Sequence, residues 1–171
     1  ANGKRADLFI SIHANASPNR KARGIELYTL GQATDPSALA TAARENSIQG
    51  KSLKNLEGVI RLMLADLSIM NRLDHSLEFA DTTRRAFVNT LGTAYDVTDL
   101  GVKQAPFYVL MNAGMPSILA EISFISNPVE EKQLASRRYR GKIAQSLFEG
   151  VRQYILKNDQ GVKGQSLKTG E

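Results

Sequence analysis

The stretch Leu8-Phe9-Ile10-Ser11-Ile12 is short, mostly apolar and rich in β-branched residues. Such a run is typical of a strand that is covered on both faces, as in parallel sheets. The run Ile25–Leu30 follows a polar loop and predicts a second strand, and residues 107–111 and 117–123 predict two more. We predict a loop for residues 93–101.

Helical patterns lie between and after these strands. Asp35-Pro36 is a favourable N-cap and first-turn pair for a helix over residues 37–48. Apolar residues then recur every three or four positions from Leu53 to Leu77, a pattern that can continue to Leu91. Short and long helices are predicted after Asn127 and over residues 139–156, before a polar tail. The mixture predicts an α/β fold, with a mostly parallel sheet flanked by helices in a single domain.

Composition and charge restrict the class of protein. The chain has 171 residues, of which 42% are hydrophobic and 23% charged, values that suit one globular domain. The formal net charge of +5 favours anionic partners, but no basic patch with interleaved aromatic residues favours nucleic acid. No apolar run has the length of a transmembrane helix. The absence of cysteine excludes disulfides and thiolate metal ligands.

Two residues are the main candidates for chemistry. His13 directly follows an apolar strand, at the strand end where α/β sheets bind ligands, although it could also be a surface histidine. Glu121 lies in an otherwise apolar run, where a buried carboxylate is usually paired or reactive; the alternative is an edge-strand residue that faces water. His75 has no partner histidine at metal-binding spacing, which favours a solvated helix face. The sequence contains no glycine-rich phosphate loop, which argues against a nucleotide-binding domain.

Four segments together resemble the zinc-dependent N-acetylmuramoyl-L-alanine amidases of bacterial cell walls. The resemblance covers nearly the whole chain apart from the tail, and it rests on both the order and the spacing of the segments. The segments are residues 11–16, 24–28, 105–110 and 116–127.

The resemblance implies a twisted, mostly parallel sheet and hydrolysis of the amide between N-acetylmuramic acid and L-alanine of peptidoglycan. By motif, His13 corresponds to a zinc ligand and Glu121 to the catalytic glutamate. The regions of Asn15 and Asn127 would flank the substrate cleft. The family's other zinc ligands, a histidine in a Gly-His-Gly segment and a glutamate, have no counterpart here. We therefore expect residues 1–157 to be the C-terminal part of a catalytic domain whose other ligands precede Ala1.

The segment 35–100 is longer than in simple members of the family and resembles the helical insertion of division-associated amidases. In those enzymes a helix blocks the zinc site until an activator protein, of the degenerate LytM type, binds. The candidate blocking acids are Glu45, Glu57 and Asp66, and the sequence favours none of them. The alternative is that the long helix simply packs on the sheet.

The resemblance also places the protein in the periplasm or at the cell surface, where it would act in wall remodelling or daughter-cell separation. A competing hypothesis is a non-catalytic module of the same fold that binds peptidoglycan or a partner protein without metal. We expect residues 158–171 to form a flexible tail.

Overall fold

The computed structural model describes residues 1–48, 50, 58 and 67–166. Over these residues, strands and helices follow one another largely as the sequence predicts. In chain order the elements are β1 Phe9–Asn15, β2 Ile25–Leu30, α1 Pro36–Ile48, α2 Leu67–Leu91, β3 Asp99–Ala105, β4 Ser117–Phe124, α3 Pro128–Ala135 and α4 Arg137–Ser166.

The strands form one sheet in the order β1-β4-β2-β3. β1 pairs with β4 and β2 pairs with β3 in parallel, whereas β2 and β4 are antiparallel. The predicted α/β fold with a mostly parallel sheet is confirmed, with an antiparallel pairing at its centre. As a result, the carboxyl ends of β1 and β4 lie beside the amino end of β2, and polar side chains of all three strands meet there.

Helices cover both faces of the sheet. Alternate residues of β2 and β4 point to opposite faces, so each strand contributes to two cores. The core on the side of α2 and α4 contains Ile25, Leu27, Phe79, Ala80, Phe87, Leu91, Ile118, Ala120, Tyr139, Ile143, Leu147 and Tyr154. The core on the side of α1 contains Tyr28, Leu30, Ala38, Ala42, Leu73, Ala105, Phe107, Leu110 and Leu119.

The predicted strand at residues 107–111 is wrong, and so is the loop predicted for the first residues of β3. The third strand is β3, which ends at Ala105, and Tyr108–Leu110 form a 3-10 turn. Pro106 separates the two because proline lacks the N–H that a sheet ladder needs. Residues 107 and 110 are apolar because they fill the α1-side core, not because they pair in a sheet.

The described part of the segment 35–100 contributes to the core. Phe79, Phe87 and Leu91 of α2 are fully buried between the sheet and α4, and β3 begins at Asp99. Burial of one phenylalanine side chain stabilises a fold by roughly 1.5–3 kcal/mol, so α2 makes a large contribution to the stability of this core. Most of the predicted helix before Leu67 lies outside the described residues.

The last helix is longer than the sequence predicts. α4 extends to Ser166, into the segment predicted as a flexible tail, and residues 167–171 lie outside the described residues. Where the structure describes helices, none combines the length and apolar character needed to cross a membrane.

Asn127 connects three parts of the chain. Its Oδ1 atom accepts hydrogen bonds from the backbone N–H groups of Val129 (2.9 Å) and Glu130 (3.3 Å), which caps α3 as the sequence predicts. Its Nδ2 group donates to the carbonyl oxygens of Arg20 and Ala22, both at 3.2 Å. The side chain is buried and its polar atoms are used by these contacts, so it has a structural role; its predicted place beside the substrate cleft stays a prediction.

We expect Asn127→Ala to lower the free energy of unfolding by about 1–2 kcal/mol, because it removes an N-cap together with two loop contacts. Urea denaturation followed by circular dichroism measures this change. Asn89→Ala, at an exposed position inside α2, is the matched control and should change stability by less than about 0.5 kcal/mol. Equal effects of the two substitutions would contradict the assigned role.

Candidate metal centre

His13 and Glu121 lie side by side on neighbouring strands. They are direct partners in the parallel register of β1 and β4. Leu119, two residues before Glu121, packs into the α1-side core, so strand alternation places Glu121 on the same face. The pairing of the strands therefore brings both main sequence candidates to one point beneath α1.

α1 contributes a third group, Glu45. Its Oε2 atom lies 2.6 Å from Nδ1 of His13, and both side chains are largely shielded from water. Asp35 fixes the start of this helix, because its Oδ1 atom accepts a hydrogen bond of 2.8 Å from the N–H of Ala38. Near the end of α1, Asn46 donates to the carbonyl of Pro106 at 2.7 Å. The helix that carries Glu45 is thus held at both ends.

The three side chains have the composition and spacing of a metal site. One ligand atom from each of His13, Glu45 and Glu121 can be chosen so that all lie within 4.8 Å of one another. Imidazole nitrogen and carboxylate oxygen are ligands that zinc accepts, commonly as three protein ligands with one position left for water. The residues present therefore fit a divalent metal ion.

Glu121 differs from the other two residues of this cluster in its burial and in its lack of side-chain hydrogen bonds to described residues. It is 1% exposed, and within the described residues neither carboxylate oxygen has a hydrogen-bond partner. The pKa of Glu121 is raised to about 8, first by burial and then by the nearby carboxylates of Glu45 and Glu26, while His13 and Arg44 oppose this shift. An unpartnered buried carboxylate costs several kcal/mol, so this arrangement calls for a positive partner or a proton.

His13 is held from both ring nitrogens. Nδ1 contacts Glu45, and Nε2 lies 2.9 Å from the hydroxyl of Ser11. The hydrogen bond with Glu45 raises the pKa of His13, against the opposing effect of burial. The ring therefore has a fixed orientation, which a metal ligand requires.

A second buried acid, Glu26, lies next to Glu121 across the antiparallel pair. In contrast to Glu121, it is fully partnered: Lys103 donates to Oε1 at 2.8 Å, and Tyr28 and Asn15 donate to Oε2 at 2.9 and 3.2 Å. The sequence analysis missed Glu26, although it carries the same signal as Glu121, an acid within an apolar strand. Its partners are spread over three strands, so no local pattern identifies them.

Residues 1–153 match the Amidase_3 family, described as N-acetylmuramoyl-L-alanine amidase. The chain belongs to this amidase family. Among curated relatives, the amidase AmiA of Escherichia coli K12 is 34% identical over 155 residues, which are 88% of this chain and 52% of AmiA. AmiC of Neisseria meningitidis serogroup B is 34% identical over 157 residues, which are 89% of this chain and 36% of AmiC. The chain thus spans about half or less of the length of these two amidases.

Solved structures of amidases share the fold. The N-acetylmuramoyl-L-alanine amidase of Clostridium difficile 630 superposes with a TM-score of 0.61 at 26% identity, over 90% of this chain and 60% of the other. AmiC2 of Nostoc punctiforme gives a TM-score of 0.59 at 24% identity, over 91% of this chain and 62% of its own. The single α/β domain predicted from the sequence is therefore confirmed as an amidase fold.

The structure brings some of the residues predicted for the amidase site together and leaves others apart. His13, Glu121 and Glu45 come together, whereas Glu57 and Asp66 lie outside the described residues. Asn15 lies near the cluster, but it is buried and its side chain binds Glu26 and Arg44. His75 is half-exposed on α2 and 3.9 Å from Glu78, as expected for a solvated helix face.

We expect the metal-free protein to lose stability as the pH rises from about 5 to about 8. The folded-state pKa of Glu121, about 8, lies above its ordinary value of 4.5, so over this interval the folded protein holds a proton that the unfolded chain has released. The contribution of this proton is complete below pH 4.5 and is lost as the pH rises through the folded-state pKa. The slope should approach about 1.4 kcal/mol per pH unit at most.

Urea denaturation across this pH range, in the presence of a chelator, tests the prediction. The wild-type protein should lose stability more steeply than Glu121→Gln, which binds no proton at this position. Glu131→Gln, an exposed position on α3, is the control and should follow the wild type. Parallel pH profiles for wild type and Glu121→Gln would show that Glu121 is not protonated in the folded state.

Proposed function

We propose that this chain provides part of the active site of a zinc-dependent amidase that hydrolyses the bond between N-acetylmuramic acid and L-alanine in peptidoglycan. The observation that carries the proposal is the pairing of His13 with a buried Glu121 that has no hydrogen-bond partner among the described residues, in a chain of this family. The substrate is a wall polymer, so the protein would act in the periplasm or at the cell surface, in wall remodelling or daughter-cell separation.

His13 is the proposed zinc ligand from this chain. Its orientation by Ser11 and its position beside two carboxylates support this role. When bound, zinc lowers the pKa of a coordinated water toward about 7 and polarises the scissile carbonyl. A dication at this point would also stabilise the Glu121 carboxylate, which has no hydrogen-bond partner in the described part of the chain.

Glu121 is the proposed general base and acid. Its carboxylate would accept a proton from the attacking water and then deliver that proton to the leaving amine of L-alanine. A buried carboxyl group whose pKa lies near neutrality suits both steps, because neither direction of proton transfer is strongly uphill. Glu26 does not compete for this role, since its oxygens are occupied by Lys103, Tyr28 and Asn15.

Two substitutions separate the proposed roles. Glu121→Gln should retain zinc and lower turnover of peptidoglycan by at least about a hundredfold, since proton transfer is lost while His13 is kept. His13→Ala should lower zinc content sharply, because it removes the imidazole ligand. Zinc per protein by elemental analysis and amidase activity on purified peptidoglycan measure these effects, on the protein encoded by the whole gene.

His75→Ala, at the other histidine of the chain, is the matched control and should change neither quantity. Loss of zinc in Glu121→Gln would make Glu121 a ligand and not the catalytic acid. Normal zinc in His13→Ala would remove His13 from the metal site. A wild-type protein that binds peptidoglycan without zinc and without hydrolysis would favour the non-catalytic module.

We also propose that Glu45 is the blocking acid of a regulated amidase. Its carboxylate contacts His13 directly, and it lies on a helix that contributes small side chains, Ala38 and Ala42, to the core. An activator protein would withdraw the Glu45 side chain from His13, which would open the metal to water and substrate. By the resemblance, such an activator would be of the degenerate LytM type.

Glu45→Ala should raise basal hydrolysis by roughly tenfold with zinc content unchanged, as expected if the blocking contact contributes about 1.4 kcal/mol. Glu131→Ala, a solvated acid on α3, should leave the rate at the wild-type level. If Glu45→Ala instead loses both zinc and activity, Glu45 is a required ligand and not a block. Activity on peptidoglycan and elemental zinc together distinguish these outcomes.

A further inference from the structure

A cavity of about 360 Å³ lies next to the proposed active site. Its wall includes Asn15, Glu26, Arg44 and Lys103, together with apolar side chains such as Leu100 and Phe124. Asn15 follows His13 by two residues, Arg44 precedes Glu45, and Glu26 is the register partner of Glu121. The cavity therefore lies beside the residues of the proposed metal centre.

The charged side chains of the cavity wall differ in whether they have a partner of opposite charge. The ammonium of Lys103 contacts three oxygens: Glu26 at 2.8 Å, Ser37 at 3.0 Å and Asp35 at 3.4 Å. These contacts use its three N–H donors, and they also neutralise Glu26. Neither side chain is thus available to an incoming charged group.

Arg44 is different because some of its N–H donors have no acceptor among the described residues. Its Nη2 group donates to Asn15 Oδ1 and to Thr41 Oγ1, both at 3.0 Å, and both acceptors are neutral. Within the described part of the chain, the Nε and Nη1 groups have no acceptor, and no carboxylate lies within ion-pair distance of the guanidinium. Two hydrogen bonds to neutral groups hold the guanidinium in place, and none of the described carboxylates forms an ion pair with it.

A positioned guanidinium with free N–H groups in a partly apolar cavity is suited to a carboxylate, which it binds through charge-assisted and often bidentate hydrogen bonds. Its charge also acts on Glu121, which places Arg44 within electrostatic reach of the proposed reaction centre. A carboxylate bound at Arg44 would therefore belong to a group close to the scissile bond.

We propose that Arg44, held by Asn15 and Thr41, forms a subsite for a carboxylate of the stem peptide, on the residue that follows L-alanine. This inference rests on the proposed amidase function and adds a preference to it: acidic stem peptides are favoured over peptides whose corresponding carboxylate is amidated. The subsite contributes to substrate binding and not to proton transfer.

The test compares two substrates, N-acetylmuramoyl-L-alanyl-D-glutamate and the same compound with the α-carboxylate of glutamate converted to the amide. The protein encoded by the whole gene should show a KM roughly tenfold lower for the acid, which corresponds to about 1.4 kcal/mol. Arg44→Gln should remove this preference, so that the ratio of the KM values for the amide and the acid falls to about 1. Arg44→Lys keeps the positive charge without the planar fork and should retain part of the preference.

Arg85→Gln, an exposed arginine on α2 that pairs with Asp81, removes the same charge away from the cavity and should keep the full preference. A wild-type protein without preference, or an Arg44→Gln variant that keeps the full preference, would overturn the proposed subsite.

A binding experiment separates failure of the subsite from failure of the proposed function. If neither substrate is hydrolysed, the amidase proposal fails. L-alanyl-D-glutamate and its α-amide are then titrated onto the chain and followed by NMR chemical shifts. Tighter binding of the acid that disappears in Arg44→Gln supports the subsite, and equal binding of both dipeptides overturns it.

Discussion

The parallel pairing of β1 with β4 is the constraint on which the site depends. It sets His13 opposite Glu121 and buries the carboxylate of Glu121 without a hydrogen-bond partner among the described residues. A slip of one residue in this register would send one side chain to the opposite face of the sheet, because side chains alternate along a strand. The apolar residues on both faces of β4 oppose such a slip, since Ile118 and Leu119 fill different cores. Packing of the sheet thus fixes the geometry of the chemistry.

Two buried glutamates at one register position create an asymmetry that assigns their roles. Glu26 and Glu121 are partners across β2 and β4, and two adjacent carboxylates cannot both be ionised in a buried site without compensation. Lys103, from the edge strand β3, compensates Glu26. Where the structure describes the chain, Glu121 receives no such partner, so it is the group of this pair whose protonation can change. The antiparallel pairing at the centre of the sheet is therefore part of the chemistry, since it brings the two acids together.

The sequence predicts the main parts of this arrangement but not their connections. Apolar runs reveal β1, β2 and β4, and an acid inside such a run marks Glu121 as unusual. β3 escapes prediction because it is a polar edge strand, with Gly101, Lys103 and Gln104 in place of an apolar run. Glu45 could not be separated from Glu57 and Asp66 because helical periodicity does not fix how a helix sits over the sheet. The Glu26–Lys103 pair joins residues far apart in sequence. It can therefore be predicted only once the order of the strands is known.

α1 differs from the other long helices in what holds it. α2 and α4 contribute large apolar side chains to the core, whereas α1 contributes Ala38 and Ala42, whose burial contributes on the order of 1 kcal/mol each. Much of its attachment near the site is polar: Glu45 to His13, Arg44 to Asn15, and Asn46 to the backbone around Pro106. A group that binds His13 competes with Glu45 for the imidazole. A group that binds Arg44 contacts the same helix, α1. Because binding at either residue changes contacts that hold α1, occupancy of the site and the stability of α1 on the sheet are thermodynamically linked.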